Sequence, residues 1–302
     1  MEAPDPVFSF RGEMGNVLCI LLSAKSGQEL LYAGTSQGFV HLWILKVKRE
    51  LKKIHVSETS CSSIVEIPKG FATLGKGEAV KLWNSEWTLS KIIPTEFCGF
   101  CNILFYGALL VPGCDGRILL MNLEGEVQSV MVHESSKKHG EVMCMKYSTS
   151  LDVIVSCFES GLVVVWKKDG VPICDTEVED TPMCLDICEN FSKILVGTSG
   201  MFLHKLSFKN GALTVESKTE LTNPGISGVS IRSDGKLCAV SCWDNKVRYF
   251  SVKTLKLLAV LDNRTVPNCI EFSDKTSFSE PGFVFVGGSD GRITIWDLYA
   301  NK

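Results

Sequence analysis

The sequence predicts an all-β fold, a seven-bladed β-propeller, from three observations. The first is a hairpin near the end of the chain, Phe283–Tyr299, where an apolar strand, an Asp-Gly turn and an alternating strand follow one another. The second is repetition, because seven segments of the 302-residue chain share this pattern. The third is the period, since the residues that end the second strand of each hairpin lie 38 to 46 positions apart. These spacings are typical of four-stranded propeller blades.

The residues that end those strands are Trp43, Trp83, Met121, Trp166, Lys205, Phe250 and Trp296. We expect the four tryptophans among them to lie in the core. We expect the innermost strand of each blade at 17–22, 63–67, 102–105, 142–147, 183–187, 228–231 and 268–272. Two polar insertions interrupt the repeat, His133–Gly140 and Ser273–Gly282, and the second is expected to be the most mobile loop.

The segment Pro6–Arg11 alternates like a strand but has no hairpin of its own, while the last unit lacks a fourth strand. We therefore expect Val7–Phe10 to pair as the outer strand of the seventh blade and to close the ring. Closure removes the strand edges that an open array would expose. The sequence thus predicts one domain over residues 1–302, with blade 7 completed by residues 6–11.

Composition excludes several classes of function. The net charge of −3 gives no general attraction for nucleic acid. No apolar segment reaches the length of a membrane span. The 13 cysteines have no framework spacing, and many fall in predicted strand cores. This usage favours buried free thiols in a reducing compartment.

Two short motifs resemble catalytic or binding sequences and are better explained structurally. Gly70–Lys76 fits the first seven positions of a phosphate-binding loop, but Gly77 replaces the hydroxyl residue and no helix follows. Cys98 and Cys101 form a CxxC pair, but a strand follows it and no second pair exists to complete a zinc site. The five histidines are scattered. The sequence predicts no enzyme, with no catalytic residue, no cofactor and no metal.

Polar residues recur in the turns of three units, and they are the candidate partner-binding residues. The aspartates of these turns are best explained as backbone-bonding turn residues. Trp243 is different, because it lies one residue before a turn, where other units have serine, and it is a plausible exposed anchor. Trp87 is a weaker candidate of the same kind. The predicted partner-binding set is Trp243, Arg248, Arg292, Arg117 and Lys246.

Both ends of the chain carry a family resemblance. The segments are Asp5-Pro6, Phe8–Gly12, Trp243–Arg248, Leu258–Leu261 and Gly288–Tyr299. With seven units placed, the chain resembles the WD-repeat propellers of the G-protein β-subunit type. In these segments it resembles the G-protein β-subunit-like protein 1 family, the animal relatives of the ASTRA-associated WD-repeat protein. The middle units match only as generic blades, and we expect irregularity in units two, three and five.

The resemblance implies a non-catalytic adaptor in the cytoplasm and nucleus. Its partners would be proteins: the triple-T co-chaperone complex and the phosphatidylinositol-3-kinase-related kinases that it matures with the heat-shock-ninety machinery. No direct nucleic-acid or membrane contact is expected. No G-protein γ subunit is expected either, because about five residues precede the first strand, where a β-subunit has a long helix. The alternative is an adaptor subunit of a chromatin-associated, ASTRA-like complex or of a ubiquitin ligase.

Overall fold

The computed structural model describes residues 5–25, 28–134, 136–190, 192–273 and 282–298. Within them, 28 strands form seven four-stranded antiparallel sheets. One short helix, α1 (Ser136–His139), lies in the polar insertion before the fourth sheet. No helix in these ranges is long and apolar enough to cross a membrane. The all-β, seven-bladed fold predicted from the sequence is confirmed.

Each blade is a meander that runs from the channel outward. Blade 1 comprises β2 (Val17–Lys25), β3 (Gln28–Thr35), β4 (Phe39–Ile44) and β5 (Arg49–His55). Blade 2 comprises β6 (Ser63–Ile67), β7 (Gly70–Leu74), β8 (Val80–Asn84) and β9 (Leu89–Ile93). Blade 3 comprises β10 (Leu104–Phe105), β11 (Leu109–Pro112), β12 (Ile118–Met121) and β13 (Val127–Met131). Blade 4 comprises β14 (Val142–Ser148), β15 (Val153–Phe158), β16 (Leu162–Lys167) and β17 (Pro172–Glu177).

The remaining blades continue the same order. Blade 5 comprises β18 (Pro182–Cys188), β19 (Lys193–Thr198), β20 (Phe202–Lys209) and β21 (Ala212–Glu220). Blade 6 comprises β22 (Ile226–Ile231), β23 (Leu237–Cys242), β24 (Lys246–Ser251) and β25 (Leu257–Asp262). Blade 7 comprises β26 (Pro267–Phe272), β27 (Val284–Gly288), β28 (Arg292–Trp296) and β1 (Phe8–Arg11). Blades 2 and 5 are complete, and the expected irregularity is seen only in blade 3, whose innermost strand has two residues.

The N-terminal strand closes the ring as predicted. Strand β1 pairs antiparallel with β28, with Phe8 opposite Ile295 and Phe10 opposite Ile293. The Val7 N–H donates to the Ile295 carbonyl at 2.8 Å. The innermost strand of every blade contacts that of the next, and β26 of blade 7 contacts β2 of blade 1. Both ends of the chain therefore meet in one blade.

The core lies between neighbouring blades and contains the tryptophans expected there. Trp43, Trp83, Trp166 and Trp296 are at most 7% exposed. Trp87 is also 7% exposed and stacks on Phe71, with ring centroids 4.5 Å apart, so its expected role as an exposed anchor is corrected. Trp87 belongs to the core cluster of blades 1 and 2, and its backbone has a positive φ of 62°.

The indole N–H groups show how the repeat varies between blades. In blade 4 the Trp166 Nε1 donates to the buried Ser156 Oγ at 2.8 Å. In blade 1, Ala33 stands at the register position of that serine, opposite His41 and two residues beyond Leu31. The Trp43 Nε1 consequently has no acceptor within the part of the chain that the structure describes.

Most of the predicted mobile loop, residues 274–281, falls outside the described residues.

Candidate partner-binding site

The innermost strands surround a central channel, and one mouth of this channel is the candidate site. It opens into a cavity of about 520 Å³ that residues from all seven blades line. The b–c turns, which join the second and third strands of each blade, and the connections between blades lie at this mouth. Trp243 belongs to the b–c turn of blade 6 and also lines the cavity.

A β-bulge turns one residue of the innermost strand toward the channel in five blades. The pairing register shifts at this residue, so that it has no cross-strand partner. The five residues are Leu18, Met143, Met183, Ser227 and Asn268. Ser62 and Asn102 occupy the corresponding position in blades 2 and 3, and all seven line the cavity. A bulge redirects a side chain without ending the strand, and here it forms a ring of side chains at the mouth.

The polar members of this ring bond to backbone, and three of them join one blade to the next. Asn268 Nδ2 donates to the Val17 carbonyl at 3.0 Å, which joins blade 7 to blade 1. Asn102 bonds to both the N–H and the carbonyl of Met145 at 3.3 Å, which joins blade 3 to blade 4. Ser227 donates to the Pro267 carbonyl. These side chains therefore have a structural explanation.

The apolar members have no such function and remain partly exposed. Met143 and Met183 lie in neighbouring blades, with Phe100 before them in the connection to blade 3 and Trp243 after them in blade 6. Phe100 is 68% exposed and Trp243 is 44% exposed, and they are the two aromatic residues among the exposed large hydrophobic residues of the described ranges. We call Phe100, Met143, Met183 and Trp243 the apolar arc, and it spans blades 3 to 6.

The backbone under Trp243 holds the indole in place. The backbone N–H of Trp243 donates to the Gly225 carbonyl at 3.0 Å. A Cβ atom on Gly225 would lie 2.0 Å from the Trp243 indole, so only glycine allows the ring to approach this closely. The indole thus rests against backbone on one side and faces the channel mouth on the other.

An ion pair fixes the turn that carries Trp243. The Arg248 guanidinium donates to both oxygens of the Asp244 carboxylate, at 2.8 and 2.6 Å. It also donates to Thr222 Oγ1 at 3.1 Å, while Asn223 Nδ2 donates to Asp244 at 3.0 Å. The bonds to Arg248 hold the pKa of Asp244 below its usual range. This clamp ties the blade 6 turn to the connection that precedes it.

The five predicted partner-binding residues therefore do not all lie at the channel mouth. Arg248 is 5% exposed, and its guanidinium supports the turn that carries Trp243. The guanidinium is bound to the Asp244 carboxylate, and a role for Arg248 in partner binding stays a prediction. The other three, Lys246, Arg117 and Arg292, are paired with Asp262, Asp115 and Asp290 respectively. Trp243 alone of the five lines the channel cavity.

The sequence pattern does not predict Phe100, because its CxxC motif indicates only a cysteine pair. The structure places Cys98 at the surface and buries Cys101, and both thiols are free. Between them, Phe100 projects at the mouth, where the Lys76 ammonium lies 4.6 Å from the ring centroid. An aromatic residue beside glycine in a connection between blades was the available signal. Similarly, a buried residue, a variable residue and then a small residue, as in Val142-Met143-Cys144, marked each bulge.

The small residue after each bulge is often a cysteine, and these thiols are structural. The Cys269 sulfur lies where a Cβ on the opposite Gly287 would be only 2.5 Å away. Burial raises the pKa of the Cys184 and Cys269 thiols well above the usual value, which disfavours the reactive thiolate. The described residues contain no group of three His, Cys, Asp or Glu side chains able to hold a metal ion. Gly70–Leu74 of the apparent phosphate loop is strand β7.

Charged side chains line the opposite end of the channel. Lys146 and residues from blades 5, 6 and 7 line a second cavity of about 370 Å³ there. The Lys146 ammonium lies 3.0 Å from the Asp186 carboxylate, which raises the pKa of the lysine. Asp186 also accepts from the N–H of Ile231 at 2.7 Å.

Comparisons with known proteins agree with this architecture. The family model "WD domain, G-beta repeat" matches residues 216–251 and 255–297, which include most of blades 6 and 7. The propeller domain of Cps50 (Swd1) from Myceliophteria thermophila superposes with a TM-score of 0.80, covering 97% of this chain and 98% of its own. The two sequences are 15% identical, so this similarity concerns the fold.

Two relatives connect the chain to named proteins. Guanine nucleotide-binding protein subunit beta-like protein 1 of Mus musculus is 29% identical, over 98% of this chain and 97% of its own length. ASTRA-associated protein 1 of Aspergillus flavus is 29% identical over 30% of this chain and 29% of its own. The predicted resemblance is confirmed: the chain is a seven-bladed propeller that matches the WD-repeat model over residues 216–251 and 255–297 and is similar to G-protein β-subunit-like protein 1 over nearly its whole length.

Proposed function

We propose that this propeller is a non-catalytic scaffold that binds an apolar segment of a protein partner at the apolar arc. The observation that carries the proposal is the coincidence of two exposed aromatic residues with two methionines at one channel mouth. Tryptophan is enriched among residues that dominate binding energy, and methionine adapts its shape to different partners. The ring of blades keeps these side chains in fixed relative positions.

The assembly that we propose for this scaffold is the one that the family resemblance implies. It would act in the maturation and stability of phosphatidylinositol-3-kinase-related kinases with the triple-T co-chaperone complex. Similarity to G-protein β-subunit-like protein 1 over nearly the full chain supports this proposal. The similarity to ASTRA-associated protein 1, over a smaller part of the chain, favours a second candidate, an adaptor in a chromatin-associated complex.

Purification of the tagged protein at its native expression level, followed by mass spectrometry, tests the proposed assembly. We expect recovery of the co-chaperone subunits and of large kinases of this class. Recovery of histone-modifying or cullin subunits in their place would contradict the kinase-maturation proposal and leave the scaffold itself standing. The same purification applied to variants tests the binding surface.

The variant Trp243→Ala with Phe100→Ala removes both ends of the apolar arc. Each side chain is largely outside the core, so we expect the fold to be retained and the partner to be lost. The matched control is Leu258→Ala, because Leu258 is 52% exposed on the outer strand of blade 6. Equal partner recovery with the double variant and the control would refute binding at the arc. Circular dichroism and thermal unfolding confirm that both proteins are folded.

A further inference from the structure

A cleft between blades 5 and 6 collects positive charge on the face opposite the apolar arc. Its volume is about 590 Å³, and residues of β19, β20 and β21 meet the a–b and c–d turns of blade 6 there. Four lysines line it, Lys193, Lys205, Lys236 and Lys253, together with a single carboxylate, Glu216. A chain with a net charge of −3 thus concentrates an excess of positive charge in one cleft.

The inner part of the cleft contains a buried ammonium group. Lys205 is 5% exposed, and its Nζ donates to the Lys253 carbonyl at 2.6 Å. The nearest carboxylate, that of Glu216, lies 3.7 Å away, beyond hydrogen-bond distance. An ammonium group has three protons to donate. The contacts of the described residues use one of them at hydrogen-bond distance, and the cleft lies beside this group.

Glu216 does not neutralise the cleft because its carboxylate is held by the neighbouring lysine. Lys193 Nζ lies 2.7 Å from Glu216 Oε2 and also donates to Ser207 Oγ at 3.1 Å. One carboxylate therefore faces two inner ammonium groups. Lys236 and Lys253 at the rim are exposed and add two further positive charges.

We propose that this lysine cleft binds the phosphate group of a phosphorylated serine or threonine in a protein partner. A phosphoryl group carries close to two negative charges and several acceptor oxygens, which matches the surplus of charge and the donors of Lys205. A carboxylate carries one charge and would leave the cleft more positive. The partner class rests on the proposed scaffold function, since it names a second contact of the same kind of protein ligand.

The probe is a bead-bound library of peptides with one phosphoserine in degenerate flanks, beside the same library with unmodified serine. We expect the full-length protein to be retained by the phosphorylated library alone. Inorganic phosphate should compete with the phosphorylated peptides for the protein. Raising the ionic strength from about 0.1 M to about 1 M should release the protein, because it shortens the Debye length from about 10 Å to about 3 Å. Equal retention on both libraries would overturn the proposal.

Charge reversal at the rim locates the site. The variant K236E/K253E changes two exposed residues, and we expect it to reduce capture about tenfold or more by replacing attraction with repulsion. The control K69E/K91E makes the same change in charge at exposed positions of blade 2. Lys205→Met tests the buried ammonium at nearly constant side-chain volume. Equal loss in K236E/K253E and in the control would mean nonspecific attraction and would overturn the proposal.

Two further experiments distinguish phosphopeptide binding in the cleft from lipid binding and from partner binding at the apolar arc. Vesicles that contain phosphatidylinositol 4-phosphate should not bind, and binding to them without capture by phosphopeptides would reassign the cleft to lipid and overturn the proposal. The double variant of the apolar arc should retain phosphopeptide capture. If K236E/K253E keeps full capture while the arc variant loses its partner, the cleft proposal fails and the scaffold function stands.

Discussion

Closure of the ring can be tested at one side chain, Phe10. This residue of β1 is 1% exposed and lies in a cluster with residues of blade 7 and blade 1. Its ring centroid lies 5.1 Å from that of Trp43 in blade 1 and 5.0 Å from that of Phe8. Phe10→Ala would therefore remove contacts that join the first and last blades. Truncation of a fully buried phenylalanine costs about 3–5 kcal/mol, and the tilted contact with Trp43 argues for the upper half of that range.

The assay is equilibrium unfolding in urea, monitored by tryptophan fluorescence and by circular dichroism. We expect Phe10→Ala to lower the midpoint strongly, and deletion of residues 1–11 to lower it further because β28 loses its partner strand. Val7→Ala is the control, since Val7 precedes the same strand and is 48% exposed, and its effect should stay within about 0.5 kcal/mol. A loss below about 1 kcal/mol for Phe10→Ala would refute the reasoning that β1 closes the ring.

Two more predictions concern polar contacts. Asp244→Asn should cost about 3 kcal/mol, because it leaves the buried Arg248 guanidinium without its counter-charge. Since folding lowers the pKa of Asp244, its stabilisation is complete above the unfolded pKa of about 4 and is lost as the pH falls through the folded pKa. Urea titrations at several pH values should show the two proteins converging in acid, and a constant difference would contradict this. Ser156→Ala should cost about 1–3 kcal/mol by removing the acceptor of Trp166 Nε1, and a calorimetric change near zero would show that the bond contributes nothing.

The hairpins and the ring closure could be predicted because they depend on patterns that local chemistry controls. Turn residues and strand alternation identify each blade. Pro6–Arg11 could be assigned to blade 7 because the last unit lacks a fourth strand of its own. The direction of the side chains at the mouth could not be predicted in this way. Period-two alternation assigns a face to Met143 only while the register is regular, and the bulge breaks that register.

Burial of individual turn residues was equally hard to foresee. Trp243 lies in the b–c turn of blade 6 and Arg248 in the strand β24 that follows it, yet the arginine is buried and the tryptophan is exposed. The difference arises from residues of the preceding connection, Thr222 and Gly225, which receive the guanidinium and the indole. A pattern within one hairpin carries no information about these tertiary neighbours. The fold could therefore be predicted from the sequence, whereas the candidate site could be identified only from the structure.

The bulge also explains how one ring position accommodates leucine, methionine, serine and asparagine. A residue that the ladder leaves unpaired is released from the packing that constrains its neighbours, such as the fully buried Val142 before Met143. Its identity then depends on what it faces: asparagine where a backbone group of the next blade needs a partner, as at Asn268, and methionine where the channel mouth is open. Because the backbone geometry is the same in both cases, recognition at the mouth can change with one side chain while the blade beneath it stays intact.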